Sequence, residues 1–192
     1  PVVAMGAPVG GIIHSFISGI LTFIEHNYAF PDSSCSLLHT NLVGSENARG
    51  FLISLEGSLI GWIEPKYMTG GTLTAVGISD LLAYIESISN GSQGCYLGIE
   101  GITLSNDQKT LLNLEASGIY ITRSLMNSPA QRAGLQTGDI LTRVAGTDIH
   151  SLDELRTVLL SFTAEQTISV TVLRKGKSSY HELTYDVNIE RR

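Results

Sequence analysis

Asn47-Ala48-Arg49-Gly50-Phe51-Leu52-Ile53-Ser54-Leu55-Glu56-Gly57-Ser58-Leu59-Ile60-Gly61-Trp62 is the stretch that decides the fold of the first half of the chain. Residues 51–55 and 58–62 are short apolar runs of strand composition, and Glu56-Gly57 between them has the chemistry of a tight turn. The segment reads as a β-hairpin. Working outward, residues 1–78 read as short strands broken by Gly, Pro, Asn and Asp turns, the pattern of an all-β barrel or sandwich. Residues 65–71 form a loop and Leu73-Thr74-Ala75-Val76-Gly77-Ile78 a strand. Ser79-Asp80 then opens a helix whose apolar stripe is Leu81, Leu82, Tyr84, Ile85 and Ile88. The polar run Asn90-Gly91-Ser92-Gln93-Gly94 is the natural linker. It divides the chain into residues 1–92 and 93–192.

The second half mixes helices and strands. Gly118-Ile119-Tyr120-Ile121 is a strand. Ser128-Pro129-Ala130-Gln131-Arg132-Ala133-Gly134-Leu135 is a short helix with a serine cap and proline in the first turn. Gln136-Thr137-Gly138-Asp139-Ile140-Leu141 is a turn and strand. Ser151 caps a helix over residues 152–162, with Leu152, Leu155, Val158, Leu159 and Phe162 on one face. Residues 168–172 and 180–184 close a sheet.

A chain of 192 residues is long enough for one or two domains with a real core. Its net charge of −6 is uneven: residues 1–92 carry seven acids and two bases (−5), residues 93–192 eleven acids and ten bases (−1). No basic patch stands out, which excludes nucleic acid and anionic membrane surfaces as expected partners. Cys35 and Cys95 show no metal-ligand spacing, so neither a metal nor a cofactor is expected. They read as unpaired apolar groups, although export would permit their pairing. Residues 1–24 lack Asp, Glu, Lys and Arg, but Gly6, Pro8, Gly10, Gly11, His14 and Gly19 argue against a membrane span. No signal or transmembrane segment is read in this chain. His14, His26, His39, His150 and His181 are scattered, with no carboxylate at a spacing that suggests a catalytic dyad. They read as surface or satisfied core imidazoles.

The register of residues 47–62 resembles the HtrA family of trypsin-like serine proteases, where G-N-S-G-G precedes a pattern like A-L-V-N-L-D-G-E-L-I-G-I. Val2 to Gly10 resembles that family's V-A-I-G-N-P-F-G, Ser15 to Leu21 its V-T-S-G-I-V, and His39-Thr40-Asn41 its Q-T-D. Tyr96-Leu97-Gly98-Ile99 resembles the Y-[IL]-G-[IV] loop that starts the family's PDZ domain, and Ser128 to Leu135 its S-P-A-x-x-A-G-L. The implied fold is mainly β: one barrel, of the six-stranded type, from a trypsin-like double barrel over residues 1–92, and an α+β PDZ domain over 93–192.

On this register Asn47 falls on the family's Asn, Ala48 on the nucleophilic Ser and Gly50 on the last Gly, while Glu46 and Arg49 replace glycines. Alanine has no oxygen with which to form an acyl-enzyme. Glu46 places a side chain and a negative charge where an oxyanion would develop. No catalytic residue is therefore assigned to Glu46, Asn47, Ala48, Arg49 and Gly50. The resemblance further implies a peptide groove. Tyr96, Leu97, Gly98 and Ile99 would supply backbone N–H groups for a terminal carboxylate, Ile99, Glu100, Gly101 and Ile102 an edge strand, and Leu155, Val158 and Leu159 an apolar wall. The leading expectation is non-catalytic recognition of C-terminal or extended peptide segments. The alternatives are a serine endopeptidase of protein quality control whose activity is lost or truncated here, and a structural scaffold self-associating through an exposed barrel face. By resemblance the parent protein is extracytoplasmic or membrane-anchored.

Overall fold

In a computed structural model, residues 1–6, 16–89 and 94–191 are described, without the side chains of Ala83, Tyr84, Ser87 and Ile88. The expected turn around Pro8 to Gly10, His14 and the linker residues Asn90 to Gln93 lie outside the described residues. The chain divides into two compact units, Pro1–Tyr28 with Cys35–Ile85, and Ala29–Ser34 with Glu86–Arg192.

The first unit is built on seven antiparallel strands, β1 Val2–Met5, β2 Phe16–Gly19, β3 Leu21–Phe30, β4 Ser33–Val43, β5 Gly50–Ser54, β6 Leu59–Ile63 and β7 Thr72–Gly77, of which the end of β3 (Ala29–Phe30) and the start of β4 (Ser33–Ser34) belong to the second unit. They run in the order β2-β1-β5-β6-β7-β4-β3. The predicted hairpin is β5–β6, with Phe51 opposite Trp62 and Leu52 opposite Gly61, and a bulge after Leu52. Gly57 turns the chain at φ +86°, a conformation that costs glycine little. Alternation along the strands buries Val2, Ala4, Leu38, Leu42, Leu52, Ile63, Leu73 and Ala75 in one core, with the methyl group of Ala48 among them.

The helix α1 runs from Ile78 to Ser89. It is held at its first turn, where Ile78 and Leu81 are half-buried and Asp80 accepts a hydrogen bond from the Ser36 amide at 2.7 Å. Its expected apolar stripe is not uniformly covered: Leu82 and Ile85 are about half exposed. The 3.6-residue period marks an apolar face but does not say how far along the helix the core extends.

The second unit contains β8 Cys95–Tyr96, β9 Ile99–Thr103, α2 Asn106–Leu112, β10 Ile119–Ser124, α3 Pro129–Ala133, β11 Ile140–Val144, β12 Thr147–Asp148, α4 Leu152–Leu159, β13 Thr167–Lys175, β14 Tyr180–Asn188 and β15 Glu190–Arg191. Its main sheet runs β14-β13-β11-β10-β9, which leaves β9 at an edge. β12 pairs with β11, and β8 with β15.

The helix caps follow the sequence. Ser128 accepts from the Gln131 amide and Ser151 from the Glu154 amide, each satisfying one of the amides that a helix start leaves unpaired. Gly134 ends α3 at φ +99°. Helix α4 stops at Leu159, three residues short of the expected 162. Phe162 lies in the turn beyond it and still packs on the core. Asp139, only 1% exposed, is held by Arg174 through Nε and Nη2, both at 2.7 Å, and accepts from the Gln136 amide at 2.9 Å. Paired and hydrogen-bonded in this way, a charge tolerates burial.

Candidate functional site

The chain passes from β8 to β9 through Leu97 and Gly98. Gly98 has φ +87°, and a Cβ built on it would lie 2.2 Å from Ser128 Cβ and 2.9 Å from the Tyr96 ring. Only glycine fits. The carbonyls of the loop face one way: Leu97 O accepts from Ala130 N and Gly98 O from Leu125 N, each at 2.9 Å. The amides face the other way, so that three consecutive N–H groups converge on one point. This is a backbone nest, a concavity of partial positive charge suited to an anion.

The anion in place is the Asp32 carboxylate. Leu97 N donates to Oδ2 at 3.0 Å, Gly98 N to Oδ1 at 2.9 Å and Oδ2 at 3.0 Å, and Ile99 N to Oδ1 at 2.9 Å. The Asp32 amide donates in turn to Ile99 O at 2.8 Å, on the open edge of β9. Asp32 is 4% exposed and sits in the Ala29–Ser34 segment of the second unit, at φ +57°, a left-handed conformation that aspartate tolerates better than most residues. Nothing in the sequence around Phe30-Pro31-Asp32-Ser33 signals more than a turn.

The expected groove residues divide by burial. Leu97, Ile99, Leu155 and Leu159 are 0–2% exposed and belong to the core of the unit, with Val158 partly buried against them. Along β9, Ile99 and Gly101 are buried, whereas Glu100 and Ile102 take the opposite face. Glu100 is ion-paired with Arg123 there, and Ile102 is 36% exposed. Tyr96 pairs with Glu190 across the small β8–β15 sheet.

In the first unit, Glu46, Asn47 and Arg49 are exposed, while Ala48 is fully buried and its amide donates to Ser45 O at 2.9 Å. Arg49, Gly50, Phe51, Met5, Gly6, Phe16 and Trp62 line an open, largely apolar cleft of about 650 Å³. Asn41 Oδ1 accepts from the Ile20 amide at 2.9 Å.

The scattered histidines include one arrangement that sequence spacing did not show. His39 stacks on Phe23, with Nε2 3.2 Å from Glu25 Oε2 and Nδ1 3.3 Å from Thr74 Oγ1. A carboxylate, an imidazole and a hydroxyl in line resemble a triad in composition, but Thr74 is fully buried and offers no oxygen to a substrate. No group of three or more His, Cys, Asp or Glu side chains suited to a metal ion occurs among the described residues. Both cysteines are free and buried. Cys95 Sγ donates to Phe162 O at 3.0 Å, and burial raises its thiol pKa.

Residues 96–184, which contain the nest and the edge strand β9, match the PDZ domain family. Across almost the whole chain, a Haemophilus influenzae protein named as a probable periplasmic serine protease do/HhoA-like is 32% identical over 186 residues, which are 92% of this chain and 40% of that protein. The chain is a PDZ-containing homologue of the HtrA serine proteases.

Serine protease Do-like HtrA of Lactococcus lactis is 26% identical, covering all of this chain and 52% of its own length. Periplasmic pH-dependent serine endoprotease DegQ of Escherichia coli is also 26% identical, covering 97% and 42%. The chain thus spans about half the length of the curated relatives it matches, or less. In fold it is similar to the HtrA-type protease AlgW solved with a tripeptide, at a TM-score of 0.57 and 21% identity over all of this chain and 65% of that one. The mainly β architecture with a PDZ domain is therefore the one the sequence implied. Two of these relatives are named as periplasmic, and no described helix is long and apolar enough to cross a membrane.

Proposed function

We propose that this chain recognises extended or C-terminal peptide segments through its PDZ domain, outside the cytoplasm, without hydrolysing them. The observation that carries the reading is the nest at Leu97, Gly98 and Ile99: three amides converge on a carboxylate beside the open edge of β9. A peptide end needs those two things together. Its carboxylate takes the nest and its backbone extends the sheet. Gly98 supports the assignment, because the approach is possible only without a Cβ. The buried methyl group at Ala48, in the register of the family's nucleophile, supports the non-catalytic part. No oxygen is available there to attack a carbonyl.

The test is fluorescence anisotropy of labelled pentapeptides ending in Val, Leu, Ile or Phe, as free acids and as C-terminal amides. Free acids are expected to bind and amides to bind at least about tenfold more weakly, since each lost charge-assisted hydrogen bond is worth on the order of 1.5–3 kcal/mol. Equal binding of acid and amide removes the reading.

The scaffold reading keeps one observation of its own. Phe16 is 70% and Trp62 41% exposed, and both line the apolar cleft of the first unit. An exposed apolar surface of this kind favours association with another copy or chain.

A further inference from the structure

We infer that Asp32 is a built-in competitor of the peptide: the Pro31–Asp32 turn of the Ala29–Ser34 segment occupies the carboxylate nest of the PDZ domain, and a peptide binds only after displacing it. The inference rests on the peptide-recognition reading and adds its regulation.

The contacts carry it. A peptide terminus would present two groups to this loop, a carboxylate to the nest and an amide to the first carbonyl of the edge strand. Asp32 presents both. Its side chain accepts from all three nest amides at 2.9–3.0 Å, and its own N–H reaches Ile99 O at 2.8 Å. The side-chain carboxylate of an internal residue stands where an α-carboxylate would. With Asp32 4% exposed, the nest is closed to solvent as well as to ligand. The left-handed backbone at Asp32, φ +57°, lets one residue direct its carboxylate and its amide to neighbouring groups of the loop.

Competition has a definite thermodynamic form. The apparent dissociation constant of a peptide is its intrinsic value divided by the fraction of molecules with an open nest. The turn is covalently part of the chain, so it acts at high effective concentration and does not dilute away. Weakening Asp32 raises the open fraction and tightens peptide binding. A residue that merely buttressed the groove would do the opposite, and its loss would weaken binding.

The experiment compares the whole chain with Asp32→Asn and Asp32→Gly, both compatible with the left-handed backbone. The probes are the pentapeptide panel described above, as free acids and amides. The amide resonances of Leu97, Gly98 and Ile99 are recorded without peptide in ¹H–¹⁵N spectra. Both variants are expected to bind free acids about tenfold or more tighter than the unaltered chain, as they would if the nest were open in about a tenth of molecules or fewer. The three amides are expected to shift on substitution, and dispersed spectra report that the variants are folded. If the unaltered chain and the folded variants bind free acids equally, or the variants bind more weakly, the competitor role is overturned while peptide recognition stands. If no protein binds any peptide, peptide recognition fails and the competition falls with it.

Discussion

Gly98 and Ser128 are so close that a Cβ on the glycine would lie 2.2 Å from the Cβ of the serine. Ser128 cannot retreat, because it is 1% exposed and caps α3 through the Gln131 amide. Gly98→Ala therefore faces both a steric collision and a left-handed backbone, which costs an alanine roughly 1–2 kcal/mol by itself. A total loss of about 3 kcal/mol is expected from strain and overpacking together. Gly146→Ala is the control. It also has positive φ, +81°, but nothing lies within 4 Å of its added Cβ. Amide hydrogen exchange of β9 and β10 should show a far larger loss of protection for Gly98→Ala than for Gly146→Ala. Equal losses would mean that the loop has room to move.

Arg174→Met should destabilise the PDZ domain by about 3 kcal/mol, the usual cost of breaking one side of a buried pair. The guanidinium also donates to Gly134 O at 2.8 Å, so its removal strands a buried carboxylate and loosens the cap of α3. Asp139→Asn should cost less, since the amide retains one acceptor. Urea unfolding followed by tyrosine fluorescence or exchange of β13 checks the order. Trp62, the lone tryptophan, lies in the other unit and should report no change. If Asp139→Asn costs as much as Arg174→Met, the charge is not what matters.

The parts of the fold that were legible had local chemistry. Glu56-Gly57 announced the β5–β6 hairpin, and Ser128-Pro129 and Ser151 announced α3 and α4, because caps and turns are decided within four residues. Helix α2 carries an equally local signal. Ser105 and Gln108 form a reciprocal capping box at its start. Other features had no local trace. Asp32 meets the nest across 65 to 67 residues of sequence, and Glu25 meets His39 across two strands. Leu155 and Leu159 were ambiguous for a different reason. A helix face that lines a groove and one that packs into a core have the same period, and only burial separates them.

Cys35 gives a pH dependence. Burial first, and then the nearby charge of Asp80, pushes its thiol up to about 11. In the unfolded chain the thiol ionises near its ordinary value of 9.0. Below pH 9 both states hold the proton and the thiol leaves stability unaffected by pH. Between about 9 and 11 the unfolded state releases the proton first, so stability falls as pH rises, by of order 2 kcal/mol. The slope should disappear in Cys35→Ala. Urea midpoints read from Trp62 fluorescence at pH 8, 9, 10 and 11 measure it. Native Cys35 should also resist iodoacetamide at pH 8, where the thiolate is scarce. Rapid alkylation of the folded protein would contradict the burial.

Ala48→Ser is expected to restore the family's nucleophile in name only. The side chain at 48 is fully buried with Leu52, Ile63 and Leu73, and the Cβ that Gly44 lacks would lie only 3.1 Å from the Ala48 methyl group. An added hydroxyl would enter that apolar cluster and cost about 1–3 kcal/mol if it found no partner. It would not reach a substrate carbonyl, and Glu46 would still place a carboxylate beside any developing oxyanion. The expected outcome is a lower urea midpoint from Trp62 fluorescence, no turnover of unfolded casein above buffer, and no labelling by a fluorophosphonate probe. Labelling at residue 48 would show that the segment opens to expose it, and that the loss of the oxygen is the main thing separating this chain from hydrolysis.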